Sequence, residues 1–264
     1  MKPRREWVAN LFFLFREHGH ADRFSAARRA GFSAVEDPWP YDLSVSDFRA
    51  GAKEAGIPVA MINTPVGDEA RGDFGLGART GREADFRHGF EHAMDYAAAV
   101  DIPIIHVMAG CVPEEDRPEA DATLKANLNW AVRRAAAHGR RIVLEMINPV
   151  DRPGWFVSRT DQARGILDAV AADNLGLLFD IYHVHKVDEH VLEQIRLSAA
   201  HIAHVQVASL PDRREPGDGA VHLDDVLSAL DAIGYRGFLS AEYNPASTTE
   251  AGLDWLTARI GRSE

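Results

Sequence analysis

Short runs of branched and aromatic residues alternate with longer amphipathic runs from one end of the chain to the other. The short runs predict strands over 7–12, 33–36, 57–62, 103–108, 141–146, 175–179, 202–207 and 238–241. The longer runs predict helices over 20–30, 44–55, 82–100, 118–138, 158–172, 188–198, 223–233 and 248–260. In the third of these, Phe86, Phe90, Ala93, Met94 and Ala97 fall at helical spacing. Gly31, Gly56, Gly139 and Gly234 follow helical runs as C-terminal stops, and Ser158 to Asp161 offer N-cap groups. Eight strand-then-helix units with no linker between them predict one α/β domain over 1–264. The expected fold is a single (β/α)8 TIM barrel, which takes about 250 residues.

One segment breaks the rhythm. TPVGDEARGDFGLGARTG, residues 64–81, is rich in glycine and charge and has no periodicity. Its length suits either a lid over a site or a loose surface loop, and Arg71 and Arg79 could reach an anion from it.

The strand ends carry chemistry. Ile142-Val143-Leu144 closes on Glu145, and a turn-forming stretch with Asn148, Pro149, Asp151, Pro153 and Gly154 follows at once. Asp180 ends the sixth strand, Gln206 lies in the seventh and Glu242 follows the eighth. In a parallel barrel these ends converge on one face, where active sites are built. Three carboxylates and an amide oxygen form a hard, oxygen-rich set suited to Mg2+ or Mn2+; the competing reading is a group of structural ion pairs. His183, three residues beyond Asp180, reads as a substrate contact. His106 and His204 lie within strands and read first as hydrogen-bonded core residues, His204 one layer below Gln206. Arg213 and Arg214 follow the seventh strand; an arginine there can clamp a carboxylate, although a pair beside Glu215 also fits a solvated charge run.

Composition narrows the partners. A net charge of −11 argues against nucleic acid and means that an anionic substrate needs a local cationic clamp. The one cysteine, Cys111, excludes an internal disulfide and suits a reducing compartment. The start MKPRREWVANLFFLFRE has a basic head and an apolar run, but Asn10 interrupts the run and no small-residue cleavage pattern follows; it reads as the first strand. No stretch approaches the roughly 18 apolar residues of a membrane span. The expectation is a cytoplasmic protein with a small anionic substrate, no nucleic-acid or membrane partner, and a homo-oligomeric state left open.

The stretches LEMINPVDRPGW, FDIYHVH, HVQVASLPDRREPGDG and AEYNPASTTEAGLDWL resemble the hydroxypyruvate isomerase family, one of the xylose-isomerase-like TIM barrels. The resemblance runs over nearly the whole chain and is densest from Glu145 to Trp255. It implies a divalent metal held by Glu145, Asp180, Gln206 and Glu242, with Glu145 and Glu242 as the acid/base pair. Gln206 stands where sugar epimerases of the wider superfamily usually carry histidine. Arg213 with His183 would hold the substrate carboxylate or polarise an oxygen. Asn63, which matches the family's third-strand pattern, and His106 join them as substrate-binding residues, while Ile62 replaces a histidine of that pattern. The implied reaction interconverts hydroxypyruvate and tartronate semialdehyde by proton transfer through an enediolate. The alternatives are a 2-oxo-tetronate isomerase or a ketose 3-epimerase on the same barrel and, more remotely, a metal-dependent endonuclease.

Overall fold

The structure is a computed structural model that describes residues 5–187, 190–217 and 219–260. Eight parallel strands close into a barrel in chain order: β1 Trp7–Asn10, β2 Ala34–Glu36, β3 Val59–Asn63, β4 Ile104–His106, β5 Arg141–Glu145, β6 Leu175–Asp180, β7 Ile202–Val207 and β8 Leu239–Ala241. Helices α1 Arg23–Arg29, α2 Val45–Ala55, α3 Glu83–Val100, α4 Arg117–Ala136, α5 Thr160–Val170, α6 Ile181–Lys186, α7 Val191–Leu197, α8 Leu223–Ala232 and α9 Asp254–Ile260 complete the (β/α)8 TIM barrel.

Strand alternation divides the apolar residues into separate cores. Outward positions such as Ile105, Ile142, Leu144, Leu177 and Phe179 pack with helix residues, among them Phe90, Leu124 and Ile166, in one large cluster. Inward positions Met61, Ile104, Val143 and Leu178 form a second cluster, and Val8, Ala34 and Ala60 a third, both packed against Phe238. Two residues further along each strand, the same inward face turns polar. Asn10, Glu36, Asn63, His106, Glu145 and Asp180 follow this rule on β1 to β6, Gln206 follows His204 on β7, and Glu242 stands just beyond β8. The barrel therefore has an apolar plug below and a polar layer at its C-terminal end.

The elements differ from expectation where side chains intervene. The first strand stops at Asn10 rather than 12, because the Asn10 carbonyl accepts the N–H groups of Phe13 and Leu14. An unpredicted helix, α6, begins directly after β6. The Asp180 carboxylate caps it by accepting Tyr182 N–H at 2.8 Å, which overrides the strand-like run Ile-Tyr-His-Val. The next helix begins at Val191; residues 188 and 189, which were expected to open it, lie outside the described residues.

Segment 64–81 forms a packed wall. Gly77 and Ala78 donate to the carbonyls of Met108 and Ala109, and Asn127 donates to Gly77 O. Gly75 and Gly110 meet backbone to backbone at positive φ, where a Cβ on Gly110 would lie 2.2 Å from Gly75 O. Arg79 spends Nη1 on Cys111 O, and among the described residues neither Arg71 nor Arg79 lines the cavity described below. No helix among the described residues is long and apolar enough to cross a membrane.

Candidate active site

A cavity of about 690 Å³ lies over the polar layer. Asn63, His106, Glu145, Gln206 and Glu242 reach it from the strand ends, His183 from α6 and Arg213 from the loop after β7. Phe12, Phe13, Trp39 and Phe74 form an aromatic rim, with Trp39 edge-on to Phe12 and Phe74 at 5.0 and 5.9 Å. The structure thus brings every predicted site residue to one end of the barrel, with Asp180 just beneath the cavity lining.

Glu145 has no hydrogen-bond donor on its carboxylate among the described residues. Its nearest polar neighbours are His106 Nε2 and His183 Nε2, each at 3.8 Å. Burial, then repulsion from Glu242 and Asp180, holds its pKa well above the usual carboxylate range. Burial also pushes Glu242 and Asp180 up, against the pull of Arg213. Arg213 Nη2 bridges these two acids, 3.1 Å from Asp180 Oδ2 and 2.6 Å from Glu242 Oε2. Its guanidinium lies 4.7 Å from the ring centroids of both Phe13 and Tyr182. Nη1 has no partner among the described residues, so Arg213 keeps a donor free for substrate.

The histidines are held neutral. Burial drives His106 down to about 3, and burial with the nearby Arg213 depresses His183 well below its ordinary value. Asn148 donates Nδ2–H to His183 Nδ1 at 2.7 Å, which leaves the proton on Nε2, facing Asp180 Oδ2 at 3.5 Å and Glu145. His106 Nδ1 pairs with Asn63 Oδ1 at 3.2 Å, while its Nε2 is buried without a hydrogen-bond partner among the described residues. The pair therefore offers one N–H and one lone pair on either side of Glu145.

The donor chemistry fits a divalent cation. Ligand atoms of Glu145, Asp180 and His183 lie within 4.8 Å of one another. Gln206 Oε1 is buried without a partner among the described residues, because its amide N–H is spent on Glu36. Glu242 lines the same cavity and accepts from Arg213 and Asn10, while His183 Nε2, the nitrogen nearest Glu145 and Asp180, carries the proton that the Asn148 contact leaves there.

Sequence reasoning missed three polar residues here. Asn148 orients His183. Glu36 is fully buried and accepts from Asn10, His204 and Gln206. Burial alone would raise the Glu36 pKa, but the contacts from His204, foremost, and from Gln206 bring it below the ordinary value. Asn10 links Glu36 to Glu242 Oε1, 3.1 Å away. The available signal was the two-residue spacing from an inward apolar position to a polar strand end.

A family model described as a xylose isomerase-like TIM barrel matches residues 24–259. The chain is 40% identical over 257 residues to a 2-oxo-tetronate isomerase of Cupriavidus necator, covering 97% of this chain and 99% of that protein. It is 34% identical over 249 residues to a hydroxypyruvate isomerase of Escherichia coli, covering 94% and 96%. A solved structure described as an AP endonuclease, family 2, from Brucella melitensis matches with a TM-score of 0.93 at 34% identity, covering 97% of this chain and 98% of that one.

Proposed function

The chain belongs to the xylose isomerase-like TIM barrel family and is an isomerase; on that premise we propose that it interconverts hydroxypyruvate and tartronate semialdehyde with the help of a divalent cation. The observation that carries this reading is Glu145: a cavity carboxyl with no hydrogen-bond donor on it among the described residues, and a second carboxyl, Glu242, lining the same cavity.

The reaction removes a proton from C3 of hydroxypyruvate, passes through an enediolate and returns a proton to C2; the hydroxyl proton moves from O3 to O2. Glu145 and Glu242 take and give the carbon-bound protons. His183 Nε2–H donates toward the carbonyl oxygen, and His106 Nε2 accepts from the hydroxyl. Arg213 Nη1 binds the carboxylate. Glu145, Asp180, Gln206 and Glu242 would hold Mg2+ or Mn2+, which would supply Lewis-acid stabilisation of charge developing on the substrate oxygens.

A second reading, isomerisation of a 2-oxo-tetronate, is favoured by the cavity, which has room well beyond a three-carbon acid, and by the name of the Cupriavidus relative. An assay with Mg2+ or Mn2+ on hydroxypyruvate, a 2-oxo-tetronate and a neutral ketose, followed by proton NMR in D2O, separates these. The expected result is turnover of an acid with deuterium entering the protonated carbon. Rapid epimerisation of the ketose with neither acid turned over would sink the acid-isomerase reading.

A further inference from the structure

Glu36 is a buried acid with no place in the chemistry above. It ends β2 inside the barrel and is 0% exposed. Oε1 accepts from Asn10 Nδ2 and from Gln206 Nε2, both at 2.7 Å, and Oε2 accepts from His204 Nε2 at 2.8 Å. Burying a carboxylate is costly, and the inward residue one layer below on the same strand is Ala34. A plain core filler would be apolar.

The chemistry of the contact explains the choice. An ionised carboxylate only accepts hydrogen bonds, whereas an amide has a donor end and an acceptor end. Facing Gln206, Glu36 takes the amide N–H and turns Oε1 the other way. That oxygen is the one left buried without a partner among the described residues. The same carboxylate holds Asn10, whose Nδ2 also reaches Glu242 Oε1 at 3.1 Å. His204 Nε2 holds the other carboxylate oxygen, Oε2, from the opposite side at 2.8 Å.

We propose that Glu36 is a positioning residue: it fixes the amide of Gln206, and through Asn10 the carboxylate of Glu242, so that both present oxygen to a divalent cation. This rests on the cation reading above. Outer partners of metal ligands set affinity by about 10–100-fold.

The test is Mn2+ titration of the wild type, Glu36→Leu and Glu36→Gln, read as free Mn2+ by electron paramagnetic resonance, with thermal unfolding run alongside. Leucine cannot accept from Gln206, so Glu36→Leu should weaken Mn2+ binding by about 10–100-fold. Glutamine keeps one oxygen that can accept but no longer enforces the orientation, so Glu36→Gln should recover part of the loss and bind about 3–10-fold more weakly than wild type. A purely structural role would lower the unfolding temperature and leave the Mn2+ affinity of the folded protein unchanged. Wild-type affinity in a folded Glu36→Leu overturns the proposal; if that variant does not fold, unchanged affinity in Glu36→Gln does so. Absence of Mn2+ binding by the wild type removes the cation reading itself, and this inference with it.

Discussion

Asn148 donates its side-chain N–H to Nδ1 of His183 at 2.7 Å, and this contact selects the imidazole tautomer that faces Glu145 and Asp180. Asn148→Asp reverses it. A carboxylate at 148 accepts from Nδ1–H, strips the proton from Nε2 in the neutral ring, and raises the His183 pKa. Activity should fall by about 100-fold through kcat, in the range of a lost general acid–base contact. The ring nitrogen shifts of His183, read by 15N NMR, should exchange character between Nδ1 and Nε2. Unchanged shifts with lowered activity would remove the tautomer explanation.

Glu145 makes a signed prediction about pH. Its folded pKa lies above its ordinary value of 4.5. A carboxyl raised on folding contributes its stability below the unfolded pKa and loses it as pH rises through the folded pKa. Glu145→Gln stays neutral throughout. In the absence of divalent metal, wild type and variant should therefore unfold at similar temperatures near pH 4.5, and the variant should pull ahead as pH rises to about 8, by roughly 2–4 °C for each kcal/mol. The depressed histidines act with the opposite sign below 6.5, but they are present in both proteins and largely cancel in the comparison. Saturating Mn2+ should reverse the ranking. Turnover by the variant should drop by about 10²–10⁴-fold.

Glu145, Asp180, Gln206 and Glu242 were legible because each ends or follows a run that reads as a buried strand. Asn10 and Glu36 occupy the same layer but were hidden. Asn10 lies inside the apolar run Trp7 to Phe15 and looks like an interruption, and Glu36 precedes Asp37 and reads as another loop charge. Their meaning appears only when β1, β2, β7 and β8 are side by side and Asn10, Glu36, Gln206 and Glu242 come within hydrogen-bond reach. The role of Asn148 depends on a turn folding back toward α6, which no local pattern encodes. The 64–81 wall was unreadable for a related reason: its hydrogen bonds run to Met108 and Ala109, far along the chain.

Arg152 should govern preference for acids. Its guanidinium lies 3.6 Å from the ring centroid of Phe74 at the cavity rim, and among the described residues it makes no ion pair and no side-chain hydrogen bond. It is the second cation of the lining, beside an Arg213 largely engaged by two acids. Arg152→Gln should raise KM for an acid substrate by about 10-fold, as expected for one lost charge-assisted contact, with kcat little changed. KM for a neutral ketose should not move. An equal rise for both substrates would show that the arginine only shapes the rim through Phe74.

The wall that carries Phe74 depends on two glycines in contact. A Cβ on Gly110 would meet Gly75 O at 2.2 Å, and φ at Gly110 is +98°. Gly110→Ala therefore combines backbone strain with a clash that no rotamer relieves, and should cost on the order of 2–4 kcal/mol. Gly81→Ala is the control: φ there is +78°, but nothing lies within 4 Å of the added Cβ, so only the backbone term of about 1 kcal/mol remains. Thermal unfolding should separate the two variants. Limited proteolysis should cut the 64–81 segment faster in Gly110→Ala, with KM rising as Phe74 leaves Arg152. Equal losses in the two variants would show that the left-handed backbone, and not the contact with Gly75, sets the cost.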